Sequence, residues 1–480
     1  MSLSQIKILA YLYLILPLFI FCLTWFVPLI QIVLIIFLGI SCCFIRFQDT
    51  KEMPFHLSKK TGACILLIAA FWCFWSGIGG YIHQTGDFLA RNAIYHDLIE
   101  RDYPIYYTAG FRTLNYYFGF WLIPAQLTKL FSFLHSPERL FTIGLNILLL
   151  YTILGVFLFY GLLISLIKPQ TKKGLFLTLL FPIFFSGLDF IPALLNNTPF
   201  DHIEIWNGIG NIQYDCMTTQ LFWVFNQALP AWIATMLFLD EKAPHNYGIL
   251  FVATLFQGSL PTIGLGIFMF VAVIKFWRIA PRNTTTYQQI FSYSNIFAIP
   301  LLLTLISFLT CNTIAHKNTF HLNDLTFIRY YSFCMIEFVC YILPIYITYK
   351  HETNFKVMLV SLLTLVLFSI GGEFNDFPMR TSIPALLILQ IYVLKFLLSA
   401  DASRFNKKIL CMFLAIGIIT PAVEFSRGIR QIAENKTIYH RLDEWQTLNA
   451  KMTIFPWDNY LLSNYQHLPF YKYFVKPYQR

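Results

Sequence analysis

The sequence predicts an all-α polytopic membrane protein with about 13 transmembrane or broken helices. Three observations predict it. Hydrophobic residues make up 57% of the 480 residues, and charged residues only 12%, about half the share usual in soluble chains. Fifty phenylalanines raise the aromatic content to 18%. The apolar residues are gathered into runs close to the roughly 20 residues that a helix needs to cross about 30 Å of hydrocarbon.

The runs follow one another along the chain. The first, 8–26, begins after Lys7 and is followed at once by a second at 28–46. With no small-residue cleavage site between them, the first reads as an uncleaved span rather than a signal peptide. Further runs lie at 62–80, 141–167, 175–195 and 216–239. Gly258 and Pro261 split 247–259 from 262–276, which predicts a pair of short or broken helices. The last five are 296–315, 327–348, 357–372, 381–399 and 409–425. Most of the ten cysteines (among them Cys22, Cys73, Cys334 and Cys411) fall inside these runs without metal-ligand spacing, so they read as small core residues.

Lys and Arg set the expected orientation. The net charge of +10 sits in loops, and no basic stripe or zinc signature points to nucleic acid. An internal N-terminus makes 46–61 cytoplasmic and carries the third run outward. If 114–131 were a further span, Lys168, Lys172 and Lys173 would be left outside, against the positive-inside rule. A surface helix at 114–131 instead brings them inside, together with 240–246, 275–290, 349–356 and 400–408. The expected organisation is then an N-terminal hairpin and loop (1–61), a transmembrane core (62–425) with external loops 80–140 and 191–215, and an external tail (426–480). Tyr117, Trp121 and Pro124 suit a headgroup-level helix, although aromatic stripes more often mark ordinary packing.

Three stretches hold the ionisable groups. GDFLARNAIYHDLIERDYPIYY, from Gly86 to Tyr107, carries four carboxylates, two arginines and a histidine. A helix over 87–101 would stack Asp87 with Arg91 and Asn92 with His96 and Glu100. Asp87 also suits an N-cap. The second loop contains Asp201, His202, Glu204 and Trp206 within a few residues. Here H-x-E lacks a nearby third ligand, so metal binding is unassigned, while Trp206 offers a broad aromatic face beside it. Asp189, inside the apolar run 175–195, implies a cavity or a partner. The third stretch, 371–389, places Glu373, Asp376 and Arg380 where a helix turns inward, the depth of a lipid phosphate. Arg329 and Glu337, eight apart in one span, suggest an internal ion pair or cavity lining.

An acidic residue just beyond a helix, a surface helix running Leu114–Phe131, and then Arg139–Leu140 opening a long inward span resemble the GT-C-type glycosyltransferases. QTGDFLARNAIYHDLI, HIEIW, FWVFNQALPAW and NDFPMRTSIPAL resemble segments of uncharacterised bacterial membrane proteins near that superfamily. In most of the family the acidic residue follows the first helix, whereas here it follows the third.

The resemblance implies transfer of a sugar from a polyprenyl-phosphate donor to a lipid-linked or cell-surface glycan, at the external face of a bacterial inner membrane. It implies Asp87 as base, with Asp97, His202 and Glu204 as further catalytic candidates. Arg380 and Arg91 would hold the donor phosphate, and Trp206, Tyr117 and Trp121 would wall the sugar or acceptor. A divalent metal would be possible. An O-antigen polymerase or ligase using polyprenyl diphosphate, and a transporter or flippase, are the alternatives.

Overall fold

The computed structural model describes residues 1–47, 55–108, 111–196, 202–206, 212–316, 320–323, 325–370, 375–435, 447–448 and 460–478. Asp201 and Glu373 lie outside the described residues. The chain is built mainly of helices. α1 (Leu3–Thr24) starts on a capping box in which Ser2 and Gln5 satisfy each other's backbone N–H. α2 (Pro28–Cys43) and α3 (Lys59–Trp75) follow, the latter capped by Ser58. α4 (Phe88–Glu100) and α5 (Gly119–Lys129) lie between α3 and the 31-residue α6 (Pro137–Ile167). Ser136 and Pro137 start α6, and Lys168 ends it in the left-handed region.

The second half continues with α7 (Lys172–Phe184), α8 (Phe190–Leu195), α9 (Met217–Asp240), α10 (Tyr247–Leu255) and α11 (Ser259–Ile279). α12 (Thr284–Ile290), α13 (Tyr293–Ile296) and α14 (Ala298–His316) come next. α15 (Phe327–Cys334) runs through a π turn at Met335–Val339 into α16 (Cys340–Tyr349). Then come α17 (Thr353–Leu365), α18 (Asp376–Thr381), α19 (Ile383–Leu398), α20 (Arg404–Gly417), α21 (Ile419–Asn435) and α22 (Pro469–Tyr473).

Among the described residues, six helical segments are long and apolar enough to cross a membrane: α1, α6, α9, α11, Phe327–Tyr349 and Arg404–Glu434. A seventh arises if the pair Thr284–Ile296 and Ala298–Asn312, bent by 50°, counts as one span. Shorter apolar helices such as α2, α17 and α19 fill the space between them. α9 is the hub, buried along almost its whole length, whereas α2 exposes Leu29, Ile32 and Ile36 and α14 exposes Ile299, Leu303 and Ile306. A buried core together with continuous outward-facing apolar surface is the pattern of an integral membrane protein.

Three sequence expectations need correction. The run 175–195 is not one helix: α7 stops at Phe184, and Asp189 sits in the bend before α8. The run 357–372 ends as a helix at Leu365, and Phe368–Ile370 (β4) pairs antiparallel with Phe320–Leu322 (β3). The helical chain near the end does not stop at 425 but continues through α21 to Asn435. The tail also has structure of its own. Leu461–Ser463 (β5) joins Tyr106–Tyr107 (β1) and Arg112–Leu114 (β2) in a sheet of order β1-β2-β5.

The loops sort into two groups by contact. Met1 N–H reaches Leu57, Arg46 pairs with Asn246, Lys7 with Asp240, and Gly174 lies against Leu398. At the opposite ends of the helices, β2 meets β5, Arg380 meets Tyr117 and His202 meets Glu424. α5, at 11 residues, is about 16 Å long and too short to cross.

Candidate functional site

The first site forms where α4, α5 and α18 meet. Asp87 precedes α4 but makes no cap hydrogen bond. Its Oδ2 instead accepts from Arg91 Nη2 at 2.7 Å, one turn further on. The Arg91 guanidinium lies over the rings of Phe88 and Phe225, 5.8 and 5.6 Å from their centres. α18 repeats the arrangement, with Arg380 Nη2 2.8 Å from Asp376 Oδ2. Arg380 Nη1 also donates to the Tyr117 hydroxyl at 2.7 Å, and Gln227 of α9 donates to the same oxygen at 3.2 Å.

In both pairs the guanidinium is sheltered and the carboxylate is open. The arginine side chains are 8% and 12% exposed, and both aspartates are 42% exposed. Each arginine keeps one buried N–H with no hydrogen-bond partner among the described residues, Nη1 of Arg91 and Nε of Arg380. The two pairs lie within electrostatic reach of each other, since Asp376 feels the charges of both Asp87 and Arg91. Tyr116 and Tyr460 pack beside Tyr117, so the tail closes one flank. Two balanced ion pairs with spare donors and a phenol suit an anion such as a phosphate group.

A second, more acidic cluster lies nearby. His202 Nδ1 is 3.2 Å from Glu424 Oε1 on α21. Trp223 of α9 and Arg427 also bind the Glu424 carboxylate, at 3.0 Å each to Oε2. Glu204 is fully buried, and its Oε1 accepts the Cys216 N–H at 2.6 Å at the start of α9. Burial, then the charges of Asp215, Asp189 and Glu424, push the Glu204 carboxyl well above the usual range. Burial raises Asp215 to about 7, with His202 and Arg380 pulling the other way. Burial pulls the His202 imidazole down, but its hydrogen bond to Glu424 and the Glu424 charge leave it above its ordinary value.

Trp206 links this cluster to the helices behind it. Its indole N–H reaches Glu337 Oε1 at 3.1 Å and Asp189 Oδ1 at 3.4 Å. Arg329 donates to the Trp206 carbonyl at 2.7 Å, so Arg329 and Glu337 are joined through Trp206. Glu337 sits on the π turn, a geometry frequent at functional sites. Trp206, Ile203, Asn196 and Arg329 line a cavity of about 420 Å³.

The sequence-predicted residues thus divide. Asp87, Arg91, Tyr117 and Arg380 come together, and His202, Glu204 and Trp206 form a neighbouring group. Two others have packing roles. Asp97 is wholly buried, and its Oδ2 accepts from Tyr107, Thr447 and the Leu448 N–H at 2.6 to 2.9 Å. These bonds tie the tail to α4, while Oδ1 faces His96 at 3.3 Å. Trp121 is 1% exposed and packs edge-on against Phe120 and Phe225, inside the core and not at a headgroup surface. Sequence reasoning did not single out Asp215, Gln227 or Glu424. An acidic residue within an apolar run was the available signal for Glu424. No family model, curated protein or solved structure matches this chain.

Proposed function

We propose that the chain is a membrane glycosyltransferase that moves a sugar from a polyprenyl-phosphate donor to a lipid-linked or cell-surface glycan. The observation carrying this reading is the pair of sheltered guanidiniums, Arg91 and Arg380, each with an N–H unpartnered among the described residues, Arg380 bonded to Tyr117 and Arg91 within electrostatic reach of it. They would hold the donor phosphate and stabilise the charge that grows on it. The acceptor hydroxyl oxygen attacks the anomeric carbon, and its proton passes to Asp87. The carbon–oxygen bond to phosphate breaks, and polyprenyl phosphate leaves with the electron pair. Trp206, on its cavity, offers a ring for a sugar face, with His202 and Glu204 on the acceptor side.

This reading carries a finer architecture. About 13 transmembrane or broken helices would form a GT-C-like core, with α4 and α5 in the first external loop of a bacterial inner membrane. A cysteine replacing Lys172 should then resist a membrane-impermeant thiol reagent in intact cells, while one replacing Glu100 or Leu130 reacts. Reaction at 172 alone would overturn the orientation.

The decisive experiment gives the purified protein radiolabelled polyprenyl-phosphate sugars. Label transfer that Asp87→Asn and Arg380→Ala abolish supports the proposal, and lipid or sugar flux without bond cleavage retires it in favour of transport. A second enzymatic reading uses polyprenyl diphosphate, and the presence of two guanidiniums favours it. Release of monophosphate or diphosphate lipid separates the two.

A further inference from the structure

The acidic cluster around His202 has a feature that hydrogen bonding within the protein leaves unresolved. His202, Glu204 and Glu424 each offer one ligand atom, and the three atoms lie within 4.8 Å of one another. They come from the segment before α9 and from α21, so the fold and not a local motif assembles them. Glu204 has no solvent exposure, and its Oε2 has no hydrogen-bond partner among the described residues. Asp215 Oδ1, on a residue 2% exposed, is in the same position. A buried carboxylate oxygen without a donor is costly, about 1–3 kcal/mol or more for a charged group.

The charge balance points the same way. Asp189, Glu204, Asp215, Glu337 and Glu424 are all buried and act on one another electrostatically. Arg427 binds Glu424, and His202 is the nearest other basic group. Among the described residues, carboxyls outnumber the basic groups bonded to them, and such a buried group is held together by shared protons or by a bound cation. The surroundings also resemble a ligand shell. Trp223 and Arg427 hold Glu424, and the Cys216 N–H holds Glu204 by Oε1.

We propose that His202, Glu204 and Glu424 form a binding site for one first-row divalent cation, with Asp215 beside it as a further oxygen donor. One imidazole and two or three carboxylates suit Zn²⁺ or Mn²⁺ better than Mg²⁺ or Ca²⁺, which prefer all-oxygen shells. The ion neutralises the acidic group and ties the 202–206 segment to α21 across the mouth of α9. The site is separate from the Arg91 and Arg380 pairs and does not depend on the glycosyltransferase reading.

The test uses full-length, tag-free protein in detergent, treated with a chelator and then titrated with Zn²⁺, Mn²⁺ or Co²⁺. One equivalent of Zn²⁺ or Mn²⁺ per chain is expected, with visible absorption from bound Co²⁺. Glu204→Gln and His202→Ala should each weaken binding at least about 100-fold, with helix content by circular dichroism unchanged. Asp87→Asn should bind metal as the wild type does. If a variant fails to fold, Glu424→Gln is read in its place. Absence of stoichiometric binding by the folded wild type, or equal binding by folded variants, overturns the proposal. The readout is metal content, so failure of sugar transfer would leave this result intact.

Discussion

The two polar clusters stand at the same end of the helices but are built on opposite principles. Around Tyr117, two carboxylates meet two guanidiniums, each pair one helical turn long, and among the charged groups described there the atoms left unsatisfied are N–H, although the Gln227 Oε1 also lacks a partner. Around His202, carboxylates outnumber cations, and what remains unsatisfied is oxygen. The difference teaches how to read a buried polar group in an apolar protein. On the two proposals above, the unsatisfied donors would answer an anion and the unsatisfied oxygens a cation.

Four measurements would break or sharpen that contrast. The largest effect belongs to the balanced cluster. Arg380→Ala strands Asp376 and removes a donor to Tyr117, so transfer from a phosphate lipid should fall at least about 100-fold, on the order of 3 kcal/mol. A steady-state assay with KM and kcat resolved reads it. Asp97→Ala should lower unfolding stability by about 3 kcal/mol in a detergent melt, yet spare the activity of the folded fraction. Loss of activity without loss of stability would restore Asp97 to the chemistry.

Asp215 probes the acid-rich cluster, in chelator-treated protein. Burial pushes its carboxyl up to about 7 in the folded state, above its unfolded value of about 4. Between those two values the folded chain holds a proton that the unfolded chain has released. Stability is therefore lost progressively as pH rises through the window. Asp215→Asn should then raise Tm more at about pH 8 than at about pH 5, a gain of roughly 1–2 kcal/mol. The smallest effect is that of Trp206→Phe, which keeps a ring but removes the N–H shared by Asp189 and Glu337. A rise in KM of about fivefold, roughly 1 kcal/mol, with kcat held, is expected.

Much of the balanced cluster was legible in the sequence because its bonds are local. Asp87 with Arg91 and Asp376 with Arg380 are i,i+4 pairs, which helical spacing alone reveals. The acid-rich cluster was only half legible. His202 and Glu204 stand two apart, but Glu424 lies 222 residues beyond His202, and no local pattern announces such a contact. The same blindness turned Asp97 into a catalytic candidate, since its partners Thr447 and Leu448 are 350 and 351 residues away. Trp121 shows a different limit. An aromatic residue in an apolar run reads alike whether it faces headgroups or Phe225. The apolar runs marked where helices form and, through Gly258 and Pro261, the break between α10 and α11, but not the bend at Asp189.

The shortness of α5 has a consequence for adaptation. A helix that crosses must tilt or stretch when acyl chains lengthen or shorten. A helix of 11 residues confined to one end of the bundle has no second surface to match. In the proposed architecture, Tyr117, just before it, and the arginine beside it would therefore keep their depth below a single leaflet, whatever the thickness of the bilayer. Growth temperature or a foreign host could remodel the lipids and strain α6 without shifting those two groups.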